Sequence, residues 1–478
     1  MGHEIWAQEE FGHAKLGDVR RTRRAVLMFR RVAERPEGTV SGVFEKGEER
    51  EAAYRFLESD KIDTEELERS RGIACARRIE AHHGMCIVPF DQTSIHLHDH
   101  TGALGFGSVG TRRAGARGVH VLTALALTEQ GLPLGILDQL YFLRNEEPSP
   151  RRRAGGGRTK SDRRPRAERE SQHLIEHLDR VWNVAQQHAP DAALWFQSDR
   201  GGDYWGVLEW AADRHALMTV RLAYNRNVRD ERGRVLPLYR WLDRRGRSSF
   251  TQTLEVTEKD GSSRQAQLEV TYGVVDFVLQ VGRRRQRDVE MAVVQVRELR
   301  PPRGVKPIRW ILGTTFPVIS HADAERVIHN YTLRWRVEDF HRAWKSGVCN
   351  IEASQLRSPE AFRRWGILMS SMAVRAEHLK HLSREAPDAP ASVAFSRDEI
   401  DLMIARRTQS TKAHTPYQPG DTPPLKDLVL WLAIMGGYGG SRSRPTFGTV
   451  VLTRGLDRLE GMVLGLRMAR LLDAQRSG

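Results

Sequence analysis

One stretch constrains this chain more than any other: residues 331–345, with the sequence YTLRWRVEDFHRAWK. Because an α-helix turns by about 100° per residue, four polar side chains of this stretch fall on one face, within an arc of about 60°. These four residues are Tyr331, Arg334, Glu338 and Lys345. The apolar arc beside them contains Leu333, Val337, Phe340 and Trp344. We therefore predict a single amphipathic helix whose apolar arc packs on a core.

The polar face of this helix carries one carboxylate, two cations and a phenol. Such a set suits a site that holds a metal ion and a phosphate together, because Glu338 would bind the metal while Arg334, Lys345 and Tyr331 hold phosphate oxygens. A solvated helix face with ordinary ion pairs explains the same pattern equally well. The rest of the chain must decide between the two interpretations.

The overall charge favours a nucleic acid as partner. The chain has 75 Lys plus Arg against 61 Asp plus Glu, a formal net charge of +14, and offers 11 Trp and 9 Tyr for stacking. Membrane-surface and ribosomal proteins share a basic balance, so charge alone is weak evidence. No apolar run approaches the roughly 18 residues of a membrane span, and no leader precedes the first helix. We expect a soluble cytoplasmic protein without a membrane partner, and its three scattered cysteines favour reduced thiols over disulfides or zinc.

The first 70 residues are predicted to be helical. Asp18 is a plausible N-cap for a helix whose first turns carry four arginines, at positions where backbone amides and guanidinium groups can grip phosphates. These arginines are Arg20, Arg21, Arg23 and Arg24. A solvated arginine-rich surface is the alternative. A second amphipathic helix fragment presents an aromatic residue beside a cation, Tyr54 and Arg55, as further candidates for DNA contact.

Short apolar runs begin at Met85 and predict three strands of an antiparallel meander, near residues 86–97, 118–127 and 134–141. Aspartate is disfavoured inside strands, so Asp91 between two apolar segments indicates a carboxylate retained for function. A position at a strand end or turn is the alternative. Pro89 is unusual in such a strand because proline cannot donate to a sheet ladder.

A second acidic residue follows the next predicted strand, near residues 192–196. Asp199 comes at the carboxyl end of this strand and precedes a glycine turn, which is where α/β folds place ligand groups. Asp203 is the fallback. The preceding residues 145–171 are rich in arginine and glycine and predict a mobile arginine-rich segment that attracts DNA, with a plain linker as the alternative.

Three further regions complete the pattern. Alternating residues between about 225 and 305 predict an inserted β subdomain, and the core pattern resumes near residue 308. Residues beyond about 373 are predicted to be mostly helical.

Together, Asp91, Asp199 and Glu338 would suit two magnesium ions in phosphodiester chemistry, with Mn²⁺ as a substitute, because hard cations prefer carboxylate oxygens.

The spacing Tyr-(2)-Arg-(3)-Glu-(6)-Lys resembles the signature of DDE transposases of the IS-four group and is met at every position of residues 331–345. Segments that resemble this family occur in order along most of the chain, at residues 16–22, 53–56, 91–94, 198–200 and 309–312. The local departures are Pro89 and Gln92, which bear on strand geometry, and the arginine-rich residues 145–171, which bear on DNA-end preference.

The resemblance implies an α/β fold with an RNase H-like catalytic core, a mixed sheet with helices, at residues 71–372. It also implies a β insertion at about 225–305, an N-terminal helical domain at 1–70 that binds transposon ends, and a C-terminal helical dimerisation domain at 373–478. The implied activity is cut-and-paste transposition of double-stranded DNA through a hairpin intermediate, by a homodimer associated with the bacterial nucleoid.

Residue by residue, the resemblance assigns catalysis and metal binding to Asp91, Asp199 and Glu338. It makes Tyr331, Arg334 and Lys345 phosphate holders. Trp310 lies where the family stacks a flipped base on a tryptophan, a contact worth roughly 1 to 3 kcal/mol, and a core aromatic is its alternative. Arg221 resembles a basic residue that contacts DNA near the site.

Two other functions stay open on the sequence. A catalytically silent DNA-binding regulator, or a domesticated transposase relative, would share the DNA-binding residues without cutting. A general metal-dependent nuclease would share the acids but would cut DNA that lacks inverted repeats.

Overall fold

The structure, a computed structural model, describes residues 3–99, 104–110, 115–144, 170–243, 248–257, 263–281, 285–409, 415–440 and 447–477. Most of the arginine-rich segment predicted at residues 145–171 lies outside the described residues. No helix in these described ranges is long and apolar enough to cross a membrane.

The helices follow the predicted pattern, with five of them before the first strand. Their bounds are α1 (His3–Phe11), α2 (Val19–Glu34), α3 (Val40–Val43), α4 (Gly47–Glu58), α5 (Thr64–His82), α6 (Glu170–His188), α7 (Trp205–Arg214), α8 (Leu238–Leu242), α9 (His321–Thr332), α10 (Trp335–Lys345), α11 (Pro359–Glu385), α12 (Arg397–Thr408), α13 (Leu425–Met435) and α14 (Thr449–Ser477). The domain boundaries expected at residues 70 and 372 fall inside α5 and α11.

The strands form one mixed sheet. Their bounds are β1 (Cys86–Leu97), β2 (Gly107–Ser108), β3 (Arg117–Thr128), β4 (Pro133–Phe142), β5 (Leu194–Ser198), β6 (Leu217–Arg221), β7 (Asn227–Arg229), β8 (Val235–Pro237), β9 (Ser248–Thr257), β10 (Ser263–Val281), β11 (Arg285–Leu299) and β12 (Arg309–Thr314).

Five strands make the centre of the sheet in the order β4-β3-β1-β5-β6. β1, β3 and β4 pair in antiparallel fashion, which confirms the predicted meander, whereas β5 and β6 run parallel to β1. Pro89 does lie within β1, a central strand. The pairing of β1 with β3 is interrupted at Val88 and Pro89, between the pairs Ile87–Leu127 and Phe90–Ala124. Loss of ladder bonds is the expected consequence of a proline at this position.

The second half of the sheet grows from β6. β12 pairs antiparallel with β6, and β11, β10 and β7 follow in order, with β9 on the long β10. The strands β7–β11 occupy the region in which the sequence predicts an inserted β subdomain. They are continuous with the central strands through β12, which places the start of β12 next to the end of β6.

Two apolar layers cover the two faces of the sheet. Ile87 and Ile95 of β1 and Trp195 of β5 pack with α9, α10 and α11, whereas Val88 of β1 and Phe196 of β5 pack on the opposite face with α6 and α7. This alternation follows from the two-residue period of a strand. Residues of odd number in β1 and β5 therefore face α10.

The signature stretch is not one helix, so the prediction of a single helix over residues 331–345 is wrong. α9 ends at Thr332 and α10 begins at Trp335. Across the break, backbone bonds of the tighter i to i+3 kind join Arg334 N to Tyr331 O (3.2 Å) and Val337 N to Arg334 O (3.2 Å). In such a turn, residues three apart lie one above the other, which brings Arg334 over the buried Tyr331. The predicted apolar arc is confirmed, because its four residues are buried.

Candidate active site

Two of the three predicted acids are placed by neighbouring strands: Asp91 lies within β1, and Asp199 directly follows the end of β5. Pro89 of β1 is opposite Gln197 of the parallel strand β5, so two further residues along each chain bring Asp91 level with Asp199. Both residues have odd numbers and therefore belong to the face of the sheet that α10 covers. Neighbouring strands are about 4.8 Å apart. Asp199 also caps a short 3-10 turn by accepting a hydrogen bond from Gly201 N at 2.7 Å.

The electrostatics of Asp91 report the same proximity. Burial raises the pKa of the Asp91 carboxyl to about 7, the negative charges of Asp199 and Glu338 add to the rise, and the guanidinium of Arg334 opposes it. A bound cation would be stabilising beside Asp91, because its ionised form is disfavoured by burial and by the neighbouring negative charges. The structure therefore brings Asp91, Asp199 and Glu338, separated by up to 247 residues, into one electrostatic unit.

Glu338 belongs to the first turn of α10, which packs on β1. Its Oε1 lies 2.8 Å from Nη2 of Arg334, with which it forms an ion pair. The exposed fraction of the Glu338 side chain is 35%, whereas that of Arg334 is 4%. The carboxylate thus combines a fixed partner on one side with access to solvent on the other.

Arg334 is the most unusual group of the site because its charge is buried. Its guanidinium lies 4.6 Å from the Trp335 ring and 5.9 Å from the Tyr331 ring. Burial lowers the pKa of the Arg334 guanidinium, but electrostatic interactions with Tyr331, Glu338 and Asp91 raise it by a larger amount. The net shift of the pKa is therefore upward. Nε and Nη1 of Arg334 are buried and find no hydrogen-bond acceptor among the described residues. Buried donors of this kind are costly, so an oxyanion at this position would be strongly favoured.

Tyr331, Trp310 and Arg221 form one side of the site. The rings of Trp310 and Tyr331 meet edge to face with centroids 5.3 Å apart. Burial raises the pKa of the Tyr331 phenol, and the positive charges of Arg334 and Arg221 oppose this rise. Trp310 is half-buried and packs against the core, so it is neither a fully buried core residue nor a free platform.

Lys345 stands apart from the other signature residues. Seven residues of helix separate it from Glu338, which is about 10 Å along the axis. Its Nζ lies 3.6 Å from Oε1 of Glu352, and Glu352 also accepts a hydrogen bond from His96 N at 3.0 Å. Spacing on a helix could not reveal Glu352, because its position depends on the turn that follows α10.

His341 is a neighbour of the site that the sequence analysis missed. It is buried, and its Nε2 lies 3.2 Å from Oγ1 of Thr123, the residue that pairs with Asp91 across the β1–β3 ladder. Burial, reinforced by Lys345, lowers the pKa of His341 to about 3, so the imidazole is neutral at ordinary pH. Its spacing of three residues from Glu338 on one helix was the available signal.

The fallback acid Asp203 has a different role. Its side chain is fully buried and accepts hydrogen bonds from Ala223 N at 2.6 Å, Tyr224 N at 3.0 Å and Arg226 Nε at 2.7 Å. These donors satisfy the carboxylate within the protein. Asp203 therefore anchors the chain after β6 and leaves Asp199 as the acid at the site.

The N-terminal candidates divide by exposure. Asp18 caps α2 as predicted, accepting a hydrogen bond from Arg20 N at 2.8 Å. Arg20 and Arg23 are exposed, and Arg24 is half-buried. Arg21 donates to the carbonyls of Leu16 (2.9 Å) and Lys61 (3.1 Å), which gives it a structural role as well.

The second N-terminal pair lies on α4. Tyr54 is half-buried and packs on the core, whereas Arg55 is exposed and lies 3.7 Å from Glu51. Only the arginine is freely available to a partner. At this exposure its ion pair with Glu51 contributes little stability.

The donor set suits a hard divalent cation by chemistry and charge. Among the described residues, no three His, Cys, Asp or Glu side chains lie close enough together to share a metal ion. Asp91 and Asp199 nevertheless offer carboxylate oxygens, the ligands that Mg²⁺ prefers, and the raised pKa of Asp91 indicates negative charge that the protein leaves uncompensated. Glu338, ion-paired with Arg334, is the third candidate ligand.

Two protein-family models match parts of this chain. Residues 3–62 match a family described as transposase DNA-binding, and residues 196–374 match a family described as transposase DDE domain. The second match contains Asp199 and Glu338, while Asp91 precedes it. The chain thus combines a transposase DNA-binding domain with a DDE transposase domain, which supports a DNA transposase. The DDE domain implies an RNase H-like core, and the predicted fold class, an α/β fold with a large mixed sheet and many helices, is confirmed.

Proposed function

We propose that the protein is a metal-dependent cut-and-paste transposase of the IS-four group, similar to that of transposon Tn-five. It binds the inverted-repeat ends of its element, nicks and excises them through a hairpin intermediate, and inserts the element into target DNA. The observation that carries this proposal is the approach of Asp91, Asp199 and Glu338 to Arg334, two of whose buried donors find no acceptor in the part of the chain that the structure describes.

Asp91, Asp199 and Glu338 would hold two Mg²⁺ ions, or Mn²⁺ in their place. When bound, such ions lower the pKa of the attacking water or hydroxyl and stabilise the leaving oxygen. Arg334 donates from Nε and Nη1 to a non-bridging phosphate oxygen. The Tyr331 ring, 5.9 Å from the guanidinium, helps to hold it in position. The protein contributes mainly position and charge, because phosphodiester cleavage asks for little covalent work.

The remaining candidates contact DNA around this centre. Trp310 supplies an aromatic surface for an unstacked base, and Arg221 and Lys345 neutralise nearby phosphates. In the N-terminal domain, the transposon end is held by the arginines of α2, Arg20, Arg21, Arg23 and Arg24. Tyr54 and Arg55 of α4 add a second contact.

The homodimer is supported by an exposed apolar stripe on the distal part of α14. Its residues lie within an arc of about 100° of the helix. The exposed fractions are 53% for Leu464, 58% for Met468, 66% for Leu471 and 54% for Leu472. A second copy of this chain is the partner that we propose, because two ends must be paired for excision and an isologous contact buries the same stripe twice.

A single substitution tests the activity. Glu338→Ala should retain binding to the inverted-repeat ends and lose magnesium-dependent nicking and hairpin formation by 10³-fold or more, about the effect of removing a key electrostatic group. Gel shift and strand-cleavage assays on labelled end duplexes measure both properties. Asp339→Ala is the matched control, because it changes the next residue along α10, whose carboxylate forms ion pairs with Arg342 (3.1 Å) and Arg336 (4.0 Å). Cleavage retained by Glu338→Ala would sink the assignment.

The two alternatives have distinct outcomes in the same assays. A silent regulator would bind the repeats without cutting under any metal. A general nuclease would cut a duplex that lacks the repeats as fast as one that carries them, and would need no paired ends.

A further inference from the structure

A strongly basic segment joins β11 to β12 and has no role in the proposed chemistry. We call residues 300–308 the basic loop. It carries Arg300, Arg303 and Lys306, and Arg309 follows as the first residue of β12. All four are exposed, and none forms an ion pair with any residue in the described ranges. From residue 299 to residue 322 the sequence contains no Asp or Glu, so the positive charge is not locally balanced.

The ends of the basic loop are clamped together. Glu298 N donates to Ile308 O at 2.9 Å, and Ile308 N donates to the buried carboxylate of Glu298 at 2.9 Å. Arg264 of β10 forms an ion pair with the same carboxylate. The loop is therefore closed by two hydrogen bonds at its base, one of them to a side chain that is itself held by the neighbouring strand.

The backbone within the loop is also restricted. Pro301, Pro302 and Pro307 fix their own φ angles. Arg300 has φ 52° and Gly304 has φ 79°, both left-handed turns of the chain. Cations displayed on a restricted loop lose less conformational entropy when they bind than cations on a flexible tail.

The basic loop leads directly into the candidate active site. Trp310, the residue after Arg309, meets Tyr331 at 5.3 Å. The carbonyl of Arg309 accepts a hydrogen bond from Arg221 Nη2 at 3.1 Å. Through these contacts the loop is tied to the side of the site that holds Arg221, Tyr331 and Arg334.

We propose that the basic loop binds the phosphate backbone of the transposon-end duplex next to the cleaved position. The proposal rests on the function proposed above and adds a specific surface to it. Exposed arginine and lysine side chains neutralise phosphates in any sequence, so the loop positions the duplex and carries no base readout. Its prearranged charges hold the end in register while the phosphate at Arg334 is cut.

The first test neutralises the loop with the triple variant R300Q/R303Q/K306Q. Each phosphate contact contributes about 0.9 to the slope of log K against log salt, so the slope for end-duplex binding should fall by about 2 to 3 and binding at low salt should weaken tenfold or more. R406Q/R407Q/R454Q, in α12 and α14, removes the same charge from another surface and should leave the slope unchanged. Equal slopes for the loop variant and the wild type would overturn the proposal.

The second test locates the loop on the DNA. The chain has three cysteines, all buried, so Lys306→Cys introduces one accessible thiol. With a photoreactive azide attached, this thiol should cross-link to the end duplex within a few base pairs of the cut. Cross-linking to a target duplex instead, or to neither, would overturn the proposal. Cleavage by the wild-type protein, measured in parallel, distinguishes a failure of this proposal from a failure of the proposed function. If the wild type cuts the end duplex but the variant does not cross-link to it, only the proposed role of the basic loop is refuted.

Discussion

Asp91 and Asp203 show how two acids of one chain acquire opposite roles. Asp203 is surrounded by donors, and Arg226 Nη2 lies 2.5 Å from its Oδ1. Asp91 is level with another acid, and its pKa is raised by burial and then by the charge of Asp199. A satisfied carboxylate stabilises the fold, whereas an uncompensated one costs stability and supplies ligand oxygens. This contrast predicts opposite effects of neutralising the two.

Asp91→Asn should stabilise the metal-free protein at pH 8, by about 1 to 2 kcal/mol after allowance for solvent screening. The folded pKa, about 7, lies above the ordinary value of 3.8, so ionisation of Asp91 costs stability as the pH rises from about 4 to 7. The gain should therefore vanish at pH 4. Urea unfolding in EDTA at both pH values measures it.

The matched substitution for this comparison is Asp203→Ala. It should destabilise the protein by about 3 to 5 kcal/mol, because it leaves a charged Arg226 and two backbone amides without their acceptor. Equal destabilisation by Asp91→Asn and Asp203→Ala would show that Asp91 is a structural acid.

The elements α11 and α14 are joined by a second buried acid. Glu377 of α11 accepts hydrogen bonds from Lys380 and from Thr449, the first residue of α14, and its Oε2 lies 3.4 Å from His381 Nε2. Although burial raises the pKa of Glu377, the close contact with His381 and the charge and hydrogen bond of Lys380 lower it more, to about 2. The carboxylate ties the start of α14 to the helix that packs against α10.

Glu377→Ala should cost about 3 to 5 kcal/mol at pH 7, because it leaves Lys380 buried without its partner. The folded pKa lies below the ordinary 4.5, so this stabilisation is present above about pH 4.5 and is lost as the pH falls through 2. The difference between variant and wild type should accordingly shrink in acid.

Chemical denaturation at pH 7 and pH 3 measures this effect. Glu385→Ala, an exposed position at the end of the same helix, is the control and should change stability by less than about 0.5 kcal/mol. A cost that stays constant between the two pH values would contradict the role of the carboxylate charge.

At the scale of the whole molecule, the C-terminal helix α14 carries the proposed dimer contact. A cut at residue 372 would divide α11, whose side chains are largely buried, and would disturb the core as well as any dimer contact. Substitutions on the α14 stripe avoid this problem. The triple variant L464E/M468E/L471E should lose the paired-end complex, because it places like charges where two apolar stripes would meet.

Native gels with two labelled end duplexes of different length measure this pairing, and binding of a single end should persist. Glutamates at the flanking positions Ala469 and Ala474 of the same helix lie outside the apolar arc and serve as the control. Unchanged pairing by the triple variant would exclude the stripe as the dimer contact.

Much of this organisation was predictable from local patterns. Short apolar runs predicted β1 and β5, and two-residue alternation predicted the strands between about 225 and 305. The apolar arc of residues 331–345 predicted a helix that packs on a core, because burial of apolar side chains imposes such patterns on any sequence. The chemical types of Asp91, Asp199 and Glu338 indicated a metal and phosphate site before their positions were known.

Contacts between distant segments were decided only in three dimensions. The break between α9 and α10 places Arg334 over Tyr331, a local conformation that a uniform helical period cannot express. The acids Asp199 and Asp203 are alike in sequence, and only the return of the chain at Ala223 and Arg226 makes one a structural anchor. Periodicity reports which face of an element is buried, whereas pairing of charges depends on which other elements arrive beside it, and that is a property of the whole fold.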